Sequence, residues 1–317
     1  MSFLGYSKLN LDMELLKGCP ICGQADFETV SKSDKFNHEI ENVVCKTCSF
    51  TFLNPAPTEA ALEDFYKNRY WEFYFSPKPS EKMLTITKNP ERAEYHCDYI
   101  KRNIDWDSVF SFVDVGGGDG SLIKSFKRSS DENKEFILVE PSDDYRQFAV
   151  ENNSCTLDYD SISQVAKSSD RRLISMVHSL EHISNPVKFL SDLSILLNEG
   201  DYLFIDVPDV FGYWHVSEVH IAHMNHFNTQ TLRHAASIAG FEAIDVSAHC
   251  PIRHPKSVRG IFRKSGNTSP SIPDDVLNNI EKTKKAFADV NESAKEWHSL
   301  KNMIKLKIKD IFNMAKY

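Results

Sequence analysis

Between about residue 90 and residue 265 the chain alternates short, unbroken apolar runs with segments whose apolar residues recur every three or four positions. The runs VFSFVDV (109–115), FILVE (136–140), RLISMVH (172–178) and YLFIDV (202–207) have the length and apolar character of strands buried on both faces. SLIKSFKR, DDYRQFAVEN and PVKFLSDLSILLN, lying between them, have helical spacing. Strands and helices in alternation predict an α/β domain on a parallel sheet. TQTLRHAASIAGF then predicts a helix ended by Gly240, followed by strands in EAIDVSAH and SVRGIFRK.

A chain of 317 residues fits one catalytic-sized domain with a smaller module, and 41% hydrophobic against 26% charged residues is enough apolar content for a sizeable core. A net charge of -8 argues against a broad phosphate-binding surface, so nucleic acid is not the expected partner. No apolar run reaches 18 residues, and the first residues lack the basic flank of a secretory signal. The expectation is a cytoplasmic protein that does not enter a membrane.

Four of the seven cysteines fall into two C-x2-C pairs, Cys19/Cys22 and Cys45/Cys48, while Cys97, Cys155 and Cys250 stand alone. An odd count with paired spacing suits a metal better than a disulfide framework, and four thiolates suit tetrahedral Zn2+ in a closed, structural site. The predicted organisation is a zinc-binding module over 1–60, a helix and linker over 61–89, the α/β domain over 90–265 and a C-terminal helical extension over 266–317. In that extension Val276, Ile280, Phe287, Met303, Ile304, Ile308, Ile311 and Phe312 would form an apolar face, packed on the domain or on another subunit of a homo-oligomer.

Asp114-Val-Gly116-Gly117-Gly118-Asp119-Gly120 ends one predicted strand and precedes a helix, where missing Cβ atoms let backbone approach a ligand. A nicotinamide site would read Gly-x-Gly-x-x-Gly and face a pyrophosphate. A carboxylate at Asp114 would repel a pyrophosphate and attract the ammonium of a cofactor that carries an amino acid. Glu140, 26 residues on, ends the next strand and can accept hydrogen bonds from two ribose hydroxyls. Asp158 and Asp160 fall where a third strand should end; they either reach an adenine or are turn residues.

The phrase His178-Ser-Leu-Glu181-His182-Ile-Ser-Asn-Pro186, with the glycine loop, Glu140, IDVPD at 205–209 and AGF at 239–241, resembles the class I S-adenosylmethionine-dependent methyltransferases, in the subgroup common in sugar and surface-polysaccharide pathways. The cysteine pairs and FLNPAPT resemble that subgroup's N-terminal module. The resemblance implies a Rossmann-like seven-stranded sheet, mostly parallel with an antiparallel last strand. S-adenosylmethionine would lie across its strand ends, held by Asp114, Gly116, Gly118, Gly120, Glu140 and Asp158 and flanked by His178 and Glu181. The acceptor would be a small polar molecule, a sugar or nucleotide-linked sugar, methylated at oxygen or nitrogen rather than carbon.

Deprotonating a hydroxyl acceptor calls for a base, and histidine is the usual one near neutral pH. Of 12 histidines, His220, His223 and His226 share the phrase VHIAHMNHFN. Resemblance points to His223 as the base, with His226 second and His182 orienting the loop. Tyr70, Trp71, Phe73, Tyr74, Tyr213 and Trp214 could offer stacking faces to a sugar or base. The competing readings are a non-catalytic scaffold that uses the C-terminal helix for a partner, and an RNA methyltransferase, which the zinc pairs favour and the charge opposes.

Overall fold

The computed structural model describes residues 11–69, 79–130, 133–152, 154–251, 256–266 and 273–297. The N-terminal part holds β1 (Met13–Glu14), β2 (Phe27–Ser33), β3 (Glu39–Cys45), β4 (Thr51–Leu53) and β5 (Ala56–Pro57). β1 pairs with β5, while β2, β3 and β4 form an antiparallel meander. Thr58 then caps α1 (Glu59–Asn68), its Oγ1 accepting from Ala61 N at 3.3 Å. Tyr70, Trp71, Phe73 and Tyr74 lie outside the described residues.

Two helices not anticipated from the sequence come next, α2 (Glu81–Thr87) and α3 (Asn89–Asn103). The large sheet and its helices follow as β6 (Ser111–Val115), α4 (Ser121–Lys127), β7 (Glu135–Val139), α5 (Asp143–Glu151), β8 (Leu157–Tyr159), β9 (Arg172–Val177), α6 (Pro186–Ile195) and β10 (Tyr202–Pro208). After β11 (Asn225–His226) come α7 (Thr229–Ile238), β12 (Phe241–His249), β13 (Ser257–Lys264) and α8 (Val276–Trp297).

The seven-stranded order is β12-β13-β10-β9-β6-β7-β8, with β13 antiparallel to both its neighbours. This is the Rossmann-like methyltransferase sheet expected from the sequence. Successive residues face opposite layers, as the two-residue period of a strand demands. Phe112, Phe136, Leu138 and Phe204 pack with Ile100, Trp106 and Phe126 on one side, whereas Val113, Ile137, Val139 and Ile205 pack with Leu190, Leu193, Leu232 and Ala235 on the other. The connections leave β6 towards β7 on one side, and the chain later returns beside β6 as β9 on the other. The strand ends at that reversal are where open α/β sheets bind ligands.

The small sheet is not a separate body. β11, far along the chain, pairs antiparallel with β4 and becomes its fourth strand. Cys19, Ile21, Val43, Cys45, Phe50 and Phe52 belong to the same apolar cluster as Val113, Met176 and Phe227. The described part of the C-terminal extension is also packed within the chain: Ala286, Phe287, Val290 and Ala294 of α8 meet Ile40, Leu53, Leu62, Val210, Tyr213 and Val216. The apolar face considered for a second subunit is thus turned inward over 276–297, while Met303, Ile304, Ile308, Ile311 and Phe312 lie outside the described residues. No helix among the described residues is long and apolar enough to cross a membrane.

Phe287 is fully buried in that seam. Phe287→Ala should cost about 3–5 kcal/mol, the usual range for deleting a buried aromatic ring. Urea unfolding checks it, and a loss below about 1 kcal/mol would show that α8 contributes little to the fold.

Candidate active site

A cavity of about 1070 Å³ opens at the C-terminal ends of β6, β7 and β9. Small-molecule sites usually occupy about 300–1,000 Å³. There is room for a nucleoside-sized cofactor with a small acceptor beside it. The glycine loop and Glu140 line one end; Glu181, His182, His220 and His223 line the other.

At the first end Asp114 is 2% exposed, and its Oδ1 accepts a 2.6 Å hydrogen bond from Ser175 Oγ. Burial pushes its carboxyl up to about 7, Ser175 opposes the rise, and Asp119 and Glu140 add to it. Gly116 has φ 71°, and a Cβ there would stand 2.3 Å from Ser179 Oγ, so the loop touches the segment that follows β9. Glu140 Oε2 accepts from Gly118 N at 3.1 Å and its Oε1 from Ser142 N at 3.0 Å. One carboxylate thereby holds the glycine loop to the start of α5. Asp119 accepts from Asn89 Nδ2 at 2.6 Å and from Ser121 N at 2.9 Å, tying α3 to the loop. Gly120, with φ 73°, precedes α4.

Asp158 stands away from this cavity. It sits on the edge strand β8 and pairs with Arg146 Nε at 3.5 Å, and the lining at that end comes from Asp160, Ser161 and Ile162 instead. The adenine-side contact expected of Asp158 therefore has the wrong position. β8 is only three residues long, and the chain turns into the cavity just after it.

At the other end, Glu181 is 1% exposed, with its Oε1 3.7 Å from His182 Nε2 and 3.4 Å from His178 Nδ1. His182 Nδ1 donates to the Ala222 carbonyl at 2.7 Å, and His223 Nδ1 to the Glu218 carbonyl at 3.0 Å. In a neutral imidazole a proton on Nδ1 leaves the lone pair on Nε2. The rings of His220 and His223 lie 3.8 Å apart between centroids, and burial holds both well below the usual histidine range. Tyr213 and the exposed Trp214 also line the cavity.

His226 does not face the cavity, which removes it as a second base. It is buried on β11, its Nδ1 3.1 Å from the Tyr213 hydroxyl and its Nε2 3.0 Å from Asn42 Oδ1. Both ring nitrogens are engaged, one with β3 of the same small sheet and one with the segment that follows β10, and burial lowers its pKa to about 3.

A buried polar cluster that was not read from the sequence lies beside the cavity. Asp206 on β10 is fully buried, and its Oδ2 accepts from His249 Nε2 at 2.6 Å while Oδ1 lies 3.4 Å from His178 Nε2. Burial opposes ionisation of Asp206, but the two histidines outweigh it and hold the carboxyl far below the usual range. His178 shows the reverse balance: burial disfavours its charge, yet Asp206 and Glu181 raise its pKa. His96 of α3 also lines the cavity and lies 3.9 Å from Asp206, with burial lowering it to about 3. The acid within IDVPD was the available signal for Asp206; His96 and His249 are single histidines in amphipathic segments and carry none.

The four paired cysteines converge. Cys19 Sγ is 3.6 Å from Cys48 Sγ, Cys22 Sγ is 3.5 Å from Cys45 Sγ, and all four sulfurs lie within 4.8 Å of one another. Tetrahedral Zn–S bonds of about 2.3 Å place sulfurs roughly 3.8 Å apart, so the cluster fits such an ion. Hydrogen bonding from the Cys19 thiol pulls Cys22 down to about 7 and Cys45 much further, while Cys19 itself is pushed up. Four crowded sulfurs cannot all ionise without a cation between them.

The sequence profile of a family described as a methyltransferase domain matches residues 70–246. Among curated proteins none matches. Similar solved structures include magnesium protoporphyrin IX methyltransferase from Synechocystis PCC 6803, 12% identical over 66% of this chain and 100% of that one, with a TM-score of 0.48. A SAM-dependent methyltransferase from Thermotoga maritima is 16% identical over 64% and 100% (TM-score 0.46). Another from Aquifex aeolicus is 14% identical over 59% and 100% (TM-score 0.46). The family profile spans more than half of the chain, which therefore belongs to the methyltransferase-domain family and is an S-adenosylmethionine-dependent methyltransferase.

Proposed function

We propose that the protein methylates an oxygen or nitrogen of a small polar acceptor, a sugar or nucleotide-linked sugar, and that Cys19, Cys22, Cys45 and Cys48 hold a structural zinc ion. The observation that carries this reading is one cavity with unlike ends, Asp114, Glu140 and bare glycine backbone at one and Glu181 with the imidazoles of His182, His220 and His223 at the other. The sugar itself comes from the family resemblance, and the rim position of Trp214, 60% exposed, offers a stacking face in keeping with it.

When bound, S-adenosylmethionine supplies an electrophilic methyl group whose transfer to the acceptor leaves a neutral thioether. Asp114 would face the ammonium group of its amino-acid portion, and Glu140 the ribose hydroxyls. Gly116 and Gly118 keep side chains out of its path. His223 would take the acceptor's proton at Nε2, and His182 would hold the acceptor in line with the methyl group. The four cysteines complete a tetrahedral shell, so the zinc would stabilise the small sheet and take no part in transfer.

Three results test this. Cofactor affinity by isothermal titration should rise with pH until Asp114 ionises near 7, falling about tenfold per unit below that value. It should fall again above about 8, where an α-amino group loses its charge. Asp114→Asn should flatten the acidic limb and weaken binding about tenfold or more, a charge-assisted hydrogen bond being worth about 1.5–3 kcal/mol. With an acceptor found by a labelled-methyl screen, His223→Ala should lower turnover about 10²–10⁴-fold and leave cofactor affinity nearly unchanged; equal loss of both would make His223 structural. Metal analysis should find zinc bound by the cysteines, lost with a fall in thermal midpoint in Cys45→Ser, and zinc-free native protein would defeat the structural-zinc assignment.

A further inference from the structure

We infer that Glu181, His182 and His223 form a second metal site, which takes one divalent first-row transition-metal ion and turns its open coordination positions towards the acceptor. The inference rests on the reading above, in which this end of the cavity receives the acceptor. One ligand atom from each residue lies within 4.8 Å of the others, and the Glu181 Oε1 to His182 Nε2 distance is 3.7 Å. Donors bound at about 2.1 Å stand roughly 3.0–3.4 Å apart, so side-chain rotation of about an ångström would close the shell.

Two features indicate that the cluster is built for a cation. Both imidazoles donate Nδ1–H to a backbone carbonyl, Ala222 for His182 and Glu218 for His223. That outer arrangement directs the Nε2 lone pair at the ligand, as it does in metal-binding histidines. Independently, Glu181 is 1% exposed and neither of its carboxylate oxygens accepts a hydrogen bond among the described residues. A buried carboxylate in that state is unfavourable, and a divalent ion would compensate it.

The donor set separates this site from the cysteine cluster. Two imidazoles and one carboxylate leave positions for exogenous oxygen, the pattern of reactive rather than closed sites. Ser179, two residues before Glu181, is the residue against which Gly116 packs, so the ion would lie beside the methyl donor. Ligation and proton acceptance use the same Nε2 lone pair of His223 and exclude each other. With the ion bound, the ion polarises an acceptor hydroxyl, whose proton leaves to water, and His223 acts as its ligand.

The test is titration of the full-length, zinc-loaded protein with Mn2+, which prefers oxygen and nitrogen donors and leaves thiolates alone. Electron paramagnetic resonance should count one bound Mn2+ per chain, and pulsed spectra of the wild-type complex should show couplings from two imidazole nitrogens. His223→Gln should weaken Mn2+ binding at least tenfold while S-adenosylmethionine still binds. The inference is overturned if wild-type protein that binds S-adenosylmethionine takes up no Mn2+ at millimolar concentration. It is equally overturned by bound Mn2+ without histidine couplings, and these wild-type spectra decide the matter even should the variant not fold. Protein that shows the Mn2+ couplings but does not bind S-adenosylmethionine would instead overturn the functional reading and leave the metal site standing.

Discussion

The two-residue strand β11 closes the small antiparallel sheet with a piece of the large domain, and the position of the histidines that line the cavity depends on that pairing. Asn225 lies opposite Phe52 and His226 opposite Thr51, while Leu53 N donates to the Met224 carbonyl at 2.8 Å. On the other flank Met224 N donates to the Glu181 carbonyl at 3.0 Å and Asn225 Nδ2 to the Ile183 carbonyl at 2.5 Å. The segment carrying His220 and His223 is therefore held from both sides, by the sheet that the cysteines organise and by the turn after β9. A polar loop would normally be mobile relative to its scaffold; here backbone hydrogen bonds remove that freedom. An ion among the four sulfurs would act on the histidine end of the cavity through this route although it lies outside the cavity lining.

The second constraint is electrostatic. Asp114, Glu140, Glu181 and Asp206 are all buried around the ends of the parallel strands. Each would be costly without compensation. Ser175 serves Asp114, two backbone amides serve Glu140, and His178 with His249 serves Asp206. Even so, burial, with a smaller contribution from repulsion by the charges of Asp119 and Glu140, raises the Asp114 carboxyl to about 7. A ligand bearing a sulfonium and an ammonium group relieves that repulsion as it binds.

The elements most legible in the sequence were those whose side chains are dictated by local periodicity. The buried strands VFSFVDV, FILVE, RLISMVH and YLFIDV were expected within one or two residues of where they lie, because a run apolar on both faces has few other structures open to it. The convergence of Cys19, Cys22, Cys45 and Cys48 was legible for a similar reason, since each pair sits on one local turn. What escaped depended on long-range pairing. His226 reads as a loop histidine until β4 is placed beside it, and Asp158 reads as a strand-end acid until β8 proves to stop one residue later. α3 was missed because its alternation of Glu, Tyr, His and Asp hides a stripe of only Ala93, His96, Cys97 and Ile100. One of those four, His96, reaches the cavity.

His178 lines the cavity and contacts two of its buried acids, Glu181 and Asp206. Its backbone is left-handed, with φ 52°, a conformation rare for a residue with a β-carbon and one that turns the chain sharply at the end of β9. Its amide donates to the Asp206 carbonyl at 2.8 Å, and its ring lies between Asp206 and Glu181 at 3.4 Å from each. Beyond Asp206 the contacts continue through His249 to the Tyr95 hydroxyl at 3.1 Å. Protonated, His178 neutralises Glu181 in part; a metal ion on Glu181 would reduce that need and favour the neutral ring. At the proposed site, proton and metal would thus compete for one carboxylate, with Asp206 as the shared anchor. The left-handed turn at His178, one residue before the Ser179 against which the glycine loop packs, sets its ring beside Glu181.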